Sequence, residues 1–231
     1  MKQRVLLLKP ARTSSREALG DYEAWFQARV GHLADFHPVE LHAGEAPPSA
    51  NRFDAIIMSG SPRSVMDADD SMARAGDFMV EAADAGIPVL GVCFGHQLLA
   101  WRLGGVVLRN PRGRELGTIS VTLTEAGRGD PLFHGLPPVI SVQSTHEDHV
   151  EPLPGSAVLL ATTAHTPVQA FAHGPRLRAV QFHPEMDRAS TRWVVRDEKL
   201  ALSEAERRRI HDAVHDTPWG ARLLENFLSR F

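Results

Sequence analysis

Along this chain, short apolar runs alternate with stretches whose apolar residues recur at helical spacing. Residues 4–8 read as a short buried strand, and residues 14–30 carry Leu19, Tyr22, Phe26 and Val30 at roughly helical intervals. A weakly marked second strand is expected at 39–41. Residues 53–58 form an apolar, β-favouring run that ends in the turn-rich Ser59-Gly60-Ser61-Pro62, and a helical stretch follows Asp69-Asp70 and stops at Gly86. Residues 88–92 predict another buried strand, which runs straight into a helix over 94–103 closed by Gly104-Gly105. Strands and helices alternating in this way imply an α/β fold with a mostly parallel central sheet and helices on both faces.

Beyond Val106 the texture changes. Strand candidates at 118–124, 139–143, 157–161, 168–172 and 177–182 are separated by Gly and Pro, which predicts a small antiparallel β extension before the chain returns to the sheet. After Glu185 the sequence turns polar. Ser203 with Glu206 forms the pattern of a capping box for a helix reaching Val214. Thr217-Pro218 predicts the start of a last helix, whose Leu223, Leu224, Phe227 and Leu228 would pack on the body. No internal repeat, low-complexity tract or domain-separating linker interrupts the chain. A single domain over 1–231 is expected, with its core in 1–186 and a helical extension over 187–231.

The length of 231 residues suits one α/β domain with a decorated edge, and 43% hydrophobic residues is ordinary for a globular protein. The net charge of -3 is small, and the only basic run, Arg207 to Arg209, reads as a solvated helix face. No nucleic-acid or membrane partner is expected from such a charge distribution. The first residues include only four consecutive apolar ones, too few for a signal-peptide core, and no segment approaches membrane-spanning length. A cytoplasmic protein is the expectation. One cysteine excludes an internal disulfide framework and a Cys-rich metal site, leaving a buried structural thiol or a reactive one.

The surroundings of Cys93 bear on that choice. Gly91-Val92-Cys93-Phe94-Gly95 has the form G-x-C-x-G between a predicted strand and a predicted helix, the arrangement of a nucleophile elbow. Glycine at 91 and 95 removes side chains that would collide where the sharp turn brings backbone close. At a helix N-terminus the dipole and free N–H groups favour the thiolate, and the Phe94 N–H would point toward an oxyanion formed by attack of the sulfur. Taken alone, the segment also fits an inert cysteine beside a tight turn. A partner appears at Gln181-Phe182-His183-Pro184-Glu185. Pro184 biases His183 toward extended geometry, so residues 183 and 185 project to one side. Glu185 can orient the His183 imidazole while His183 takes the thiol proton and returns it to the leaving group.

Together Gly91-Val92-Cys93-Phe94-Gly95-His96-Gln97 and Val180-Gln181-Phe182-His183-Pro184-Glu185 resemble the class I glutamine amidotransferases, with weaker similarity from about residue 50 to 186. Ser144-Thr145-His146-Glu147-Asp148-His149-Val150 is similar to the His-x-Asp-x-Val segment of the GMP synthase amidotransferase domain and its stand-alone relatives. The resemblance implies a flavodoxin-like fold and hydrolysis of the glutamine side-chain amide through a glutamyl thioester on Cys93, releasing ammonia. By position it implies a catalytic triad of Cys93, His183 and Glu185. It places an oxyanion hole at Phe94 with Ser61 and Gly60 of the Ser59-Gly60-Ser61-Pro62-Arg63-Ser64 loop, the Ser61 N–H being the expected second donor. Gln97, one helical turn beyond Cys93, would hold the amino-acid end of glutamine. The backbone near Thr145, Glu147 and Asp148 would receive its α-carboxylate and amine. The sequence departs from the family at Ser61 and Arg63, where glycine is common, so Arg63 would reshape or charge the rim.

His146, Glu147, Asp148 and His149 do not follow a metal-ligand spacing, so no metal is expected, and no cofactor. Three functions remain open. In the first, ammonia released from glutamine passes to a separate synthetase, because the chain shows no glycine-rich nucleotide-binding motif and ends soon after the hydrolase segment. In the second, a γ-glutamyl peptide forms the same thioester and no partner is needed; a pocket open past the amide nitrogen would favour it. In the third, the fold is a non-catalytic binding module, which would be expected to have lost a triad member.

Overall fold

The computed structural model describes residues 1–197 and 200–231. Its first half contains β1 (Gln3–Lys9), α1 (Arg16–Leu19), α2 (Tyr22–Val30), β2 (Ala34–Glu40), β3 (Ala55–Met58), α3 (Asp70–Asp84), β4 (Val89–Val92) and α4 (Phe94–Arg102). There follow β5 (Val107–Arg109), β6 (Glu115–Leu123), α5 (Glu125–Gly129), β7 (Val139–His146), β8 (Asp148–Val150), β9 (Val158–Thr162), β10 (Ala170–His173) and β11 (Leu177–Val180). The last elements are α6 (Arg188–Val195), α7 (Glu204–Ala213) and α8 (Trp219–Arg230).

One nine-stranded sheet runs in the order β2-β1-β3-β4-β11-β10-β9-β6-β7, and β5 pairs with β8 in a small antiparallel sheet. From β2 to β11 all pairings are parallel; from β11 to β7 all are antiparallel. The parallel half has the flavodoxin-like order, in which a ligand site forms at the carboxyl ends of the strands. The continuous apolar runs are explained by burial on two faces. Val5 and Leu7 of β1, with Ile57 of β3, pack toward Phe26 of α2 and Leu224 of α8, while Leu6, Leu8 and Ile56 pack toward Met79 of α3 and Leu98 of α4. Successive strand residues point to opposite sides, so both sets must be apolar.

Several boundaries differ from the sequence expectation. The helix expected over 14–30 breaks at Gly20, whose φ of 76° lies in the left-handed region, and Asp21 then caps α2 by accepting from the Tyr22 N–H. Strand β2 starts at Ala34 rather than 39; it pairs only with β1, and an edge position tolerates Pro38. Strand β6 begins at Glu115 rather than 118, and β10 at Ala170 rather than 168. The polar stretch after Glu185 contains α6, opened by an Asp187–Ser190 capping box that the Ser/Thr-led pattern does not register. The Ser203–Glu206 box forms as expected at the start of α7. Leu223, Leu224, Phe227 and Leu228 of α8 are all buried in the sheet's core. Among the described residues, no helix is long and apolar enough to cross a membrane.

The outermost strand of the antiparallel half bends back. Gln143 of β7 forms a bridge with His183, just past β11, and the His183 N–H donates to the Gln143 carbonyl at 2.8 Å. This closure brings the end of β7 beside the ends of β4 and β11.

Candidate active site

Cys93 follows β4 and precedes α4, with φ 51°, ψ -97°. Among the described residues it is the only non-glycine with positive φ, a strain kept because the turn is held from both sides. Its N–H donates to the Val180 carbonyl at 2.9 Å, and its carbonyl accepts from the Gln97 N–H at 3.0 Å. A Cβ on Gly91 would lie 2.7 Å from the Gly95 backbone, and one on Gly95 would lie 2.8 Å from the Met58 carbonyl oxygen. Only glycine fits at either position, so the elbow is a steric consequence of these residues.

His183 and Glu185 stand on the segment after β11. His183 Nδ1 lies 2.7 Å from Glu185 Oε1, and both side chains are buried. Nε2 is buried with no nitrogen or oxygen partner, which leaves it for the sulfur. Burial opposes a charged imidazole here. The charge of Glu185, and then the charge and hydrogen bond of Cys93, outweigh it and push His183 up to about 10. The pair is therefore built to hold a proton on His183 at neutral pH. A Cβ on Gly60 would meet His183 Cε1 at 2.6 Å and Cys93 Cβ at 3.4 Å, so the absent side chain of Gly60 is what lets the imidazole sit against the cysteine. From behind, Arg29 of α2 donates to the carbonyls of Glu185 and Met186, and Gly220 of α8 packs on Pro184.

A cleft of about 690 Å³ opens over Cys93. Ser61, Arg63, Gln97, Thr145, Glu147, Asp148 and His183 all line it, whereas Phe94 and Glu185 are buried behind its wall. The Phe94 N–H is one of the α4 amides without an intrahelical partner. Ser61 Oγ accepts from the Arg63 N–H at 3.0 Å, and the Arg63 guanidinium reaches Asp69 at 3.6 Å, on the rim. Gln97 Nε2 donates to the Asp148 carbonyl at 2.9 Å and to Gln181 Oε1 at 3.1 Å, so Oε1 is the atom it offers to a ligand. The Glu147 carboxylate is occupied by Arg109 and Arg114, each at 2.6 Å. Asp148 Oδ2 accepts from Ser64 Oγ at 2.6 Å, while Oδ1, buried without a hydrogen bond, pairs with the Arg109 guanidinium at 3.6 Å.

Sequence reasoning missed the opposite wall. Arg12, Thr13, Ser14 and Ser15, with Tyr22 and Trp25 of α2, line the cleft. Tyr22 had the appearance of a core position, and its helical spacing carried no other signal. Burial, then the charges of Cys93, Glu185 and Asp21, push its phenol well above the ordinary range, so it stays a neutral donor. Lys9, at the end of β1, anchors this wall through ion pairs to Asp21 at 2.8 Å and to Glu23 and Glu40 at 2.7 Å each. Burial disfavours its charge, but the three carboxylates prevail and raise its pKa. Among the described residues, no group of three or more His, Cys, Asp or Glu side chains is placed to hold a metal ion.

A family model described as glutamine amidotransferase class-I matches residues 28–195. A glutamine-hydrolyzing GMP synthase of Thermosipho africanus is 36% identical over 177 residues, covering 76% of this chain and 27% of that protein. The chain thus spans about a quarter of the length of that relative. A glutamine amidotransferase-like protein, YfeJ, of Salmonella typhimurium is 29% identical over 224 residues, covering 94% of this chain and 92% of its own length. The crystal structure of a glutamine amidotransferase from Thermotoga maritima superposes with a TM-score of 0.81 at 21% identity, covering 100% of this chain and 98% of that one, which shows the shared fold.

Proposed function

The chain belongs to the class I glutamine amidotransferase family, and from that premise we propose that it hydrolyses the side-chain amide of glutamine at Cys93 and releases ammonia. The observation that carries this reading is the strained Cys93 turn at the start of α4, facing a buried His183 that Glu185 holds at 2.7 Å. In the resting site the proton sits on His183 and the sulfur is the nucleophile. Attack on the amide carbon gives a tetrahedral oxyanion, stabilised by the Phe94 N–H and by the Gly60–Ser61 backbone. Collapse breaks the C–N bond, His183 protonates the departing nitrogen, and ammonia leaves a glutamyl thioester. His183, now neutral, deprotonates a water that attacks the thioester and returns glutamate and the free site. Glu185 keeps the imidazole in register and stabilises its charged form.

Gln97 Oε1 and Asp148 Oδ1, which makes no hydrogen bond and pairs with Arg109 at 3.6 Å, supply acceptors for the α-ammonium group, and Thr145 and Glu147 complete the wall around the amino-acid end. The carbonyl of Asp148 already receives Gln97, and that of Glu147 receives the Asn110 N–H at 2.8 Å, so the Asp148 side chain is the stronger acceptor. On this reading the ammonia goes to a separate synthetase, and the chemistry needs neither metal nor cofactor. The cleft volume favours a second reading. About 690 Å³ exceeds what one glutamine fills, and the apolar Trp25, Val194 and Leu200 are among its lining residues, so a γ-glutamyl compound with a larger leaving group has room.

Hydrolysis rates of the isolated protein on glutamine and on a panel of γ-glutamyl peptides, with Cys93→Ser as the blank, test both. Slow glutamine turnover alone supports the partner-dependent glutaminase; rapid peptide turnover with little on glutamine selects the stand-alone hydrolase; no Cys93-dependent turnover of either defeats both.

A further inference from the structure

A second histidine–carboxylate pair lies in the wall beside the nucleophile, outside the hydrolytic steps above. His146 ends β7, lines the cleft and is 4% exposed. Its Nε2 lies 2.9 Å from Glu115 Oε2, and its Nδ1 lies 2.9 Å from the Asp148 carbonyl oxygen. A carboxylate and a carbonyl both accept and neither donates. A neutral imidazole, with one N–H, would leave one of these contacts lone pair against lone pair; the imidazolium satisfies both.

Glu115 is kept as a carboxylate by Gln169 Nε2, donating to Oε2 at 2.6 Å, and by Thr163 Oγ1, donating to Oε1 at 3.2 Å. Burial works against its charge, but the hydrogen bond and charge of His146 hold it below the ordinary glutamate range. On the neighbouring helix, burial and then the charge of His146 push His96 down to about 3, so that fully buried ring is neutral. With both ring nitrogens engaged, His146 has no lone pair to serve as a base. What it holds is the Asp148 carbonyl, the same oxygen that receives Gln97.

We propose that His146, as an imidazolium balanced by Glu115, is a positioning residue that locks the β7–β8 corner, so that the Asp148 carboxylate, steadied by Ser64 and Arg109, faces the amine of a γ-glutamyl substrate. The substrate half of this statement rests on the glutaminase reading; the charge state of His146 does not.

Two measurements on the full chain separate them. In a long-range ¹H–¹⁵N spectrum at neutral pH, both ring nitrogens of His146 should resonate as protonated, and Glu115→Gln should convert the ring toward a neutral tautomer. One protonated and one bare nitrogen in the wild type would overturn the inference. The second measurement compares inactivation of Cys93 by a glutamine-shaped chloroketone and by iodoacetamide, which has no amino-acid end. In Glu115→Gln and His146→Gln, half-saturation by the chloroketone should need about tenfold more reagent, the scale of one lost charge-assisted hydrogen bond, while the iodoacetamide rate stays within about twofold. Added imidazole should restore the affinity of His146→Gly, which loss of packing alone would not permit. Unchanged half-saturation in the variants removes the positioning role. Chloroketone inactivation that fails to saturate in the wild type defeats the glutaminase reading and the role together, and the spectrum still decides the imidazolium.

Discussion

The proposed chemistry is concentrated at Cys93, in one backbone turn. Its positive φ puts the sulfur at the start of α4, and the 2.7 Å contact between His183 and Glu185 supplies the proton carrier. Replacing the sulfur should therefore remove turnover while leaving the fold intact. Cys93→Ser is expected to lose on the order of a thousandfold or more in kcat, with unchanged circular dichroism. A variant that keeps the wild-type rate would end the assignment. The charge on His183 sets a pH limit. Its raised value means that the imidazolium is present at neutral pH and is lost as pH rises through about 10, so departure of ammonia should slow on that alkaline limb. Glu185→Gln removes the largest charge favouring the proton, and the limb should then move to lower pH in a kcat profile. An unmoved limb would show that another group controls it.

At the scale of elements, the site depends on close approaches that only glycine permits. Gly60→Ala would drive a methyl group to within 2.6 Å of His183 Cε1. The buried imidazole must then shift from the sulfur, and kcat should fall by about a hundredfold, since a small displacement of a reacting group has that effect. The expected loss of stability is smaller, about 1–3 kcal/mol from overpacking, and urea unfolding would separate the two. Gly220 tests the same idea from the far side of the sheet. A Cβ there would lie 2.5 Å from the Pro184 carbonyl oxygen, so Gly220→Ala should push α8 off the His183–Glu185 segment. Lower activity together with a lowered unfolding midpoint is the expected outcome; loss of stability with full activity would mean that α8 merely covers the core.

For the molecule as a whole, the question is whether the last helices belong to the catalytic body. Phe227 is 1% exposed and shares a core with Val5, Ile57, Leu90 and Cys93, and Gln143 Nε2 donates to the His215 carbonyl at 2.8 Å. On this basis we propose that the chain unfolds as one domain. Phe227→Ala should cost about 3–5 kcal/mol and move the fluorescence and circular dichroism transitions together. Two separated transitions would divide the C-terminal extension from the rest.

Much of this was legible along the chain. Paired glycines around Cys93, a proline between His183 and Glu185 and a Ser203–Glu206 box are local patterns whose geometry follows from near neighbours, and the apolar runs announced a sheet buried on two faces. Strand β2 and helix α6 were poorly marked, because an edge strand and a mostly polar surface helix bury too little to require a clear apolar pattern. Tyr22 in the cleft wall, the close approach of Gly60 to His183 and the Glu115–His146 pair emerge only from contacts between segments far apart in sequence. The sequence by itself determined the local turns that present Cys93, His183 and Glu185. Tertiary structure decided the charge on His183, the width of the cleft and the support behind both, because those depend on burial and on contacts between distant segments that no local pattern encodes.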